Sequence, residues 1–304
     1  RDRSPSRGLG DVYKRQLFIL LMIVVCTASC KGNPDKKQEE TQLRLNSFKI
    51  NYQITSRGDS LKGVLCSLEY DEQGRLLVYN EDTLHYAFDY TAIPGHIATT
   101  CTLQKDGSIV SSGMITTRAD GAFVKEENRY EQHGGVAGGG PTTITAYTCN
   151  EQGYLLHLRQ SGANPLVFYP DTLELTLNWD DAGNVKGGRM STVFPGKKKS
   201  TVYTFEYMDK EMPCHFYPEA YVVFGMSLGS GLVGANGYGH KNLLKRITAK
   251  SAETGALLLV FDFVYQYGAD GKLTECLIKV ATMNPDDGST KLADEYIRYY
   301  DLTY

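Results

Sequence analysis

The chain has 304 residues, and its 35 acidic and 32 basic side chains give a formal net charge of −3. This slight acidity argues against nucleic-acid binding, which needs a basic surface. No two of the seven cysteines form a C-x-x-C pair, which argues against a zinc site. The five beyond the N-terminal segment are widely spaced and define no disulfide framework, so we expect most of them to be buried as small apolar side chains. They are Cys66, Cys101, Cys149, Cys214 and Cys276.

The N-terminal segment has the pattern of an export signal. The nine-residue apolar run LFILLMIVV (17–25) follows Lys14 and Arg15 and precedes small residues, as in a secretory signal. The run is too short to cross about 30 Å of membrane hydrocarbon as a helix. We therefore expect residues 17–29 to be a signal peptide. Residues 1–16 resemble translated adapter sequence, and we expect them to be a non-native leader outside the fold.

A lipidation motif ends this signal. The tetrapeptide TASC (27–30) resembles the lipobox of bacterial lipoproteins, in which the cysteine is diacylated and becomes the new N-terminus. The resemblance implies acyl chains such as palmitate on Cys30. Lys31 stands where an inner-membrane retention signal would place aspartate, which favours the outer membrane. Residues 30–42 are charged and lack large apolar side chains, so we expect a flexible tether. An ordinary cleaved signal is the alternative, and Cys26 is a second anchor candidate.

From Leu43 onward, apolar and polar residues alternate in short runs. Alternation places one set of side chains on one face of a sheet, so the runs indicate half-buried antiparallel strands. Tyrosine, present 21 times, also favours strands. No long amphipathic helix is indicated. The clearest runs are Phe48/Ile50/Tyr52/Ile54, Val64/Cys66/Leu68/Tyr70, Leu84/Tyr86/Phe88/Tyr90, Leu173/Leu175/Leu177/Trp179, Tyr203/Phe205/Tyr207 and Leu257/Leu259/Phe261/Phe263/Tyr265/Tyr267.

A turn motif recurs between these runs. An aromatic residue ends one strand, acidic or amide residues and a glycine follow, and an apolar residue starts the next strand. Glycine supplies the positive φ that tight hairpins need. Calcium loops also combine acidic residues with glycine, but no copy has the D-x-D-x-D-G spacing with a distal glutamate. The copies are YDEQGRL (70–76), YTCNEQGYL (147–155), WDDAGNV (179–185) and YGADGKL (267–273).

These patterns predict an all-β fold for residues 43–304. We expect one domain, a curved antiparallel up-and-down meander that forms an open sheet or a partial barrel. Irregular strand spacing argues against a propeller with equal blades. A long glycine-rich connection is expected near 209–242. It should contain a short helical turn around Pro218–Phe224 and pack its apolar residues against the sheet.

Two functional motifs overlap in this connection. The stretch GMSLG (225–229) matches a hydrolase nucleophile elbow, and GSGLVG (229–234) matches a dinucleotide-binding turn. An elbow needs a helix after the serine, whereas the sequence after Ser227 is rich in glycine and has no acidic residue before His240. A dinucleotide site needs a βαβ unit, which runs of strands do not provide. We therefore expect no catalytic residue and no cofactor, and an envelope serine hydrolase that uses Ser227 is the alternative.

Aromatic residues in and near the connection are the binding candidates. Tyrosine and tryptophan combine apolar area with a polar group, and long connections often carry function. The expected partners are the membrane, through the lipid anchor, and a glycan, a peptide or an outer-membrane protein. The six histidines lack paired metal-ligand spacing, so no metal is expected. The candidate ligand-binding residues are Trp179, Tyr217, Tyr221, Phe224 and Tyr238.

The chain combines a lipobox, a charged tether, repeated Y-D-x-x-G-x-L hairpins and the segment GHKNLLKRIT (239–248). This combination resembles a family of Bacteroidetes lipoproteins of unknown function. The resemblance covers most of residues 43–304 and implies a porin-like, all-β curved sheet. It implies no catalytic residue. The expected role is therefore a non-catalytic binding or scaffold module of the cell envelope.

Overall fold

A computed structural model describes residues 43–54, 59–130, 142–162, 172–194, 197–224, 237–283 and 290–304. The leader, the signal peptide, Cys30 and the tether lie outside these ranges. The described residues form sixteen strands and one helix, α1 (Pro218–Val222). The strands are β1 (Ser47–Ile54), β2 (Asp59–Tyr70), β3 (Leu76–Glu81), β4 (Leu84–Asp89), β5 (His96–Leu103), β6 (Ile109–Thr117), β7 (Phe123–Tyr130), β8 (Thr142–Cys149), β9 (Leu155–Ser161), β10 (Thr172–Trp179), β11 (Val185–Phe194), β12 (Lys197–Glu211), β13 (Asn242–Ser251), β14 (Leu257–Tyr267), β15 (Leu273–Met283) and β16 (Thr290–Thr303).

The strands form one closed barrel. Each strand pairs with its neighbours in the sequence, and β1 pairs with β16 to close the sheet. The closing pair is antiparallel and begins with Ser47 opposite Thr303. The predicted all-β antiparallel meander is therefore confirmed. Closure is complete, so the barrel is more regular than the open sheet or partial barrel that the sequence predicts.

The recurring turns all lie at one end of the barrel. Consecutive strands are antiparallel, so every connection from an even-numbered strand to the next strand lies at the end where β1 begins and β16 ends. We call this the proximal end. In the first of these turns the Gly74 amide donates to the Asp71 carbonyl at 2.9 Å, and Gly74 has φ +79°. A side chain is disfavoured at that φ, which explains the glycine in the motif.

The inner face of the barrel wall is mainly apolar, and most charged side chains lie on the outer face. In β7, Phe123 and Tyr130 are buried, whereas Glu127 and Arg129 between them are exposed. The same alternation buries large side chains such as Phe48 and Tyr86 on neighbouring parts of the wall. The five cysteines of the domain are free thiols, and all except Cys149 are buried. The core therefore lies inside the barrel.

In the part of the chain that the structure describes, no helix combines the length and the apolar character needed to cross a membrane.

Candidate functional site

The connection between β12 and β13 enters the barrel and fills its proximal end. Its ring at Phe216 packs on Phe48 of β1 and Tyr299 of β16, with centroids 5.9 and 5.4 Å apart. Its ring at Phe224 packs on Tyr203 of β12 at 5.2 Å. These partners lie on distant parts of the wall, so the connection crosses the interior. We call its described residues, 212–224 and 237–241, the plug.

The helix in the plug begins at a proline. Pro218 stands in the first turn, where its missing amide proton costs no helical hydrogen bond. Glu219 follows in the same turn, where the positive end of the helix dipole favours an acidic residue. The helix ends at Val222, and the Val223 amide donates to the Glu219 carbonyl at 2.8 Å. The predicted helical turn in this connection is confirmed, and it aims Glu219 into the barrel.

Backbone hydrogen bonds tie the plug to the proximal turns. The Leu155 amide donates to the Gly237 carbonyl at 2.8 Å, and the Lys241 amide donates to the Gly183 carbonyl at 3.1 Å. Gly237 has φ +82°, and a Cβ atom there would lie 2.4 Å from the Gly153 carbonyl oxygen. No real Cβ atom approaches a backbone oxygen so closely. Glycine at position 237 therefore allows the plug to touch the wall.

A buried glutamate–histidine pair lies at the centre of the plug. Glu219 Oε1 is 2.9 Å from His240 Nε2, and their side chains are 1% and 0% exposed. His240 Nδ1 lies 2.6 Å from the Asn242 carbonyl oxygen. A carbonyl oxygen only accepts, so Nδ1 must donate, and one further proton must lie between Nε2 and the carboxyl group. The pair is therefore either imidazolium with carboxylate or imidazole with carboxylic acid.

Tyrosine rings enclose this pair. Tyr217, Tyr207 and Tyr238 lie 5.0, 5.4 and 6.4 Å from the imidazole, centroid to centroid. Burial raises the pKa of Tyr217 and Tyr238, and the nearby Glu219 raises both further. The pair and these rings are buried together, so the surroundings of the pair have a low dielectric. A charge interaction in such surroundings is stronger than in water.

Four of the five predicted ligand-binding residues come together around Tyr238, three from the plug and Trp179 from β10. The Trp179, Tyr217 and Phe224 rings each pack on Tyr238, with centroids 6.5, 6.1 and 5.8 Å apart. Trp179 also stacks on Tyr154 at 4.6 Å. Tyr217, Phe224 and Tyr238 are at most 5% exposed. The rings therefore form a packed cluster in this conformation, and ligand binding by them stays a prediction.

The structure does not describe the side chain of Tyr221 or any part of Ser227. Tyr221 lies in α1, but its side chain is outside the described residues, as are Ser227 and both glycine motifs. The contacts of His240 bear on whether it could act as a base for Ser227. Both of its ring nitrogens are engaged, one with Asn242 and the other with Glu219. This arrangement leaves no imidazole nitrogen for a serine.

The sequence reasoning missed Glu219 as the partner of His240. The two residues are 21 positions apart, and only the path of the plug brings them together. A weak signal was present, since Glu219 directly follows a proline in an otherwise aromatic stretch. An acidic residue in such apolar surroundings needs a partner when it is buried.

Three further carboxyl groups are buried in the wall, those of Glu81, Glu126 and Glu275. Tyr79 donates its hydroxyl proton to Glu81 Oε2 at 3.1 Å, and burial raises the pKa of Glu81 to about 8. On β7, Glu126 Oε2 accepts from the Tyr147 hydroxyl at 2.7 Å, and its other oxygen accepts from Asn128. Within the described residues, no group of three or more His, Cys, Asp or Glu side chains could hold a metal ion.

Comparisons with known proteins support the fold. No protein-family model and no curated protein matches the chain. A porin-like protein from Bacteroides uniformis has a TM-score of 0.54 and 14% identity over 85% of this chain and 97% of its own. A porin-like protein from Bacteroides vulgatus has a TM-score of 0.54 and 12% identity, over 86% of this chain and 98% of its own. The porin-like part of the expected resemblance is confirmed, and the lipoprotein part stays a prediction. This chain is therefore similar in fold to the porin-like proteins of Bacteroides.

Proposed function

We propose that the protein is a lipoprotein of the cell envelope, held at the outer membrane through acyl chains on Cys30. Its barrel is a non-catalytic binding or scaffold module. The observation that carries this proposal is the sidedness of the wall, whose large apolar side chains mostly face the interior and whose inter-strand ion pairs lie on the outer face. The porin-like fold of the Bacteroides proteins supports an envelope role, and the lipobox supports the anchor.

The outer face carries ion pairs between neighbouring strands. Arg246 Nε and Asp262 Oδ1 are 2.6 Å apart, and Arg159 Nε and Glu174 Oε1 are 3.5 Å apart. All four side chains are at least 39% exposed. A barrel that spans a bilayer places an apolar band on its outer face and polar groups inside. Exposed ion pairs between strands interrupt such a band and favour water around this barrel, so we assign the attachment to the membrane to the acyl chains.

The position of Leu43, where the domain begins, indicates which end of the barrel faces the membrane. Leu43 forms a β-bridge with Cys214 of the plug, and Cys214 Sγ lies 3.6 Å from the Tyr304 hydroxyl. A tether over residues 30–42 thus joins the barrel at its proximal end. We place the plugged end toward the membrane and the opposite end toward the surrounding aqueous space.

Replacing Cys30 with alanine tests the anchor. We expect Cys30→Ala to lose labelling by radioactive palmitate and to move from the membrane fraction to the aqueous fraction, because no acyl chain remains to insert. Thermal unfolding of the barrel should not change. Cys26→Ala is the matched control and should keep both label and location. A Cys30→Ala chain that stays in the membrane after a high-salt wash would show that another feature holds it there.

A thermal-shift screen of the detergent-purified chain tests the binding role. The ligand classes are glycans, peptides, lipid head groups and metal ions. A ligand at about 100 times its Kd stabilises the folded state by roughly 2.7 kcal/mol, which corresponds to about 5 °C or more for a domain of this size. Hits confined to one class would identify the class of ligand, and a flat screen on folded protein would favour a scaffold. Ser227→Ala should keep any ligand, whereas a hydrolase would lose turnover.

A further inference from the structure

A short hairpin leaves a notch in the rim of the barrel opposite the plug. β3 and β4 have six residues each, whereas the neighbouring β2 has twelve. β2 pairs with β3 only over Cys66–Tyr70, and the last bond to the hairpin joins the Asp82 amide to the Leu65 carbonyl at 3.3 Å. Beyond it, Asp59–Val64 pair with β1 alone among the described residues. No described strand pairs with their second edge.

This notch opens into a groove on the outer face. The groove has a volume of about 660 Å³, which lies within the roughly 300–1,000 Å³ that is usual for ligand pockets. The upper part of β2 bounds one side, and the hairpin tip at Gly107 bounds the other. Leu65 projects from the β2 side and is 56% exposed, the largest value among the exposed large apolar side chains of the described chain. The groove therefore offers an unpaired strand edge beside an apolar contact.

The floor of the groove is a row of polar side chains. Ser67, Asn80, His85 and Thr102 lie opposite one another on β2, β3, β4 and β5. Asn80 Nδ2 donates to Ser67 Oγ at 3.1 Å, and His85 Nδ1 lies 2.8 Å from Asn80 Oδ1. An amide oxygen only accepts, so His85 donates from Nδ1. In the neutral imidazole, Nε2 then remains as an acceptor.

The described lining of the groove carries one carboxylate. Among these ten residues Asp82 is the one acidic residue, His85 is the one titratable base, and none is a lysine, an arginine or a large aromatic residue. Asp82 holds φ +44° at the tip of the β3–β4 hairpin. A ligand with a positive charge complements this lining, and the free edge of β2 complements a strand.

We propose that an extended peptide binds in this groove as an additional strand on the free edge of β2. Its backbone bonds to those amide and carbonyl groups of Asp59–Val64 that face away from β1, as in other cases of strand addition. The Gly63 amide is excluded, because it already donates to Asn51 Oδ1 at 2.7 Å. An apolar side chain contacts Leu65, and a lysine or arginine side chain pairs with Asp82. This inference deepens the binding role proposed above and names its ligand class. It does not depend on the anchor at Cys30.

Titration of the detergent-purified full chain with two labelled peptides tests the proposal. The probe is an eight-residue peptide of alternating valine and lysine. The second peptide has the same composition except for two central prolines, which cannot donate to a strand edge. We expect saturable binding of the probe by fluorescence anisotropy and at least tenfold weaker binding of the proline peptide. Equal binding of both peptides would overturn strand addition, and absence of probe binding would overturn the peptide site.

Three variants locate the binding. Leu65→Lys places a like charge in the groove and should weaken probe binding at least tenfold. Asp82→Asn keeps a residue that tolerates positive φ and should weaken binding several-fold by removing the charge. Leu258→Lys is the matched control, since Leu258 is 39% exposed on β14, and should bind the probe as the native chain does. If Leu65→Lys and Asp82→Asn bind the probe as tightly as the native chain and the Leu258→Lys control do, the peptide binds elsewhere. The Cys30→Ala fractionation is scored separately, so failure of the anchor and failure of this site are distinguishable.

Discussion

Replacing Glu219 with alanine is expected to lower the free energy of unfolding by roughly 1–5 kcal/mol, a range that extends from the loss of a buried neutral hydrogen bond to the loss of one partner of a buried ion pair. The loss leaves His240 Nε2 without its partner in the plug, 2.9 Å away in the native chain. It also removes the carboxyl group that faces Tyr238. Urea denaturation followed by circular dichroism measures the change. The midpoint should fall while the slope stays the same.

Two controls separate the buried pair from the general effect of losing a charge. Glu211 and Lys241 form an ion pair between β12 and the plug at 3.0 Å, but their side chains are 70% and 54% exposed. Glu211→Ala should therefore cost at most about 1 kcal/mol. The double variant Glu219→Leu/His240→Phe removes both buried partners and should recover much of the loss. If Glu219→Ala and Glu211→Ala cost the same, the buried pair does not stabilise the plug.

Replacing Glu81 with glutamine is expected to make the barrel less sensitive to rising pH. Burial raises the pKa of Glu81 to about 8, so the folded state keeps a proton that the unfolded chain releases above about pH 4. The native barrel is therefore stabilised fully below pH 4 and loses this contribution as the pH rises to about 8. The loss amounts to roughly 5 kcal/mol, at about 1.4 kcal/mol for each pH unit. Glutamine cannot ionise, so Glu81→Gln lacks this loss.

The comparison of the two unfolding curves isolates the carboxyl group. Tyr79, Asp82, Cys66 and Cys101 are the titratable neighbours of Glu81, and they remain in both chains. The difference in free energy of unfolding, variant minus native, should increase between pH 5 and pH 8. Glu69→Gln, on an exposed residue of β2, should show no such increase. Parallel pH profiles for Glu81→Gln and the native chain would contradict the raised pKa.

Local sequence patterns predicted the strands and turns well. The alternation of apolar and polar residues around Phe48/Ile50 and Phe261/Phe263 indicates which side chains are buried on one face of the sheet. This pattern is a property of a few consecutive residues. The glycine turns are equally local, as Gly74 illustrates. Pro218 marks the start of the helix in the long connection for the same reason.

These local patterns could not predict that the sheet closes or which residues fill its interior. Alternation tells which side chains share a face, but it does not tell how strongly the sheet curves. The pairing of Ser47 with Thr303 joins residues 256 positions apart and has no local signature. The Glu219–His240 pair depends on the path of the plug through the closed barrel. The same holds for the cluster around Tyr238, whose members come from β10 and from both parts of the plug.

The pairing of β1 with β16 also sets the order in which the barrel can be completed. Until β16 has been synthesised and delivered, one edge of β1 has no partner, and each newly added strand presents another open edge. Open edges are templates for pairing with other chains, and contacts between distant parts of a sequence form slowly. The unfinished barrel is thus the species most exposed to aggregation. Shielding the edge of β1 before β16 arrives would therefore protect this protein more than any protection of the finished domain.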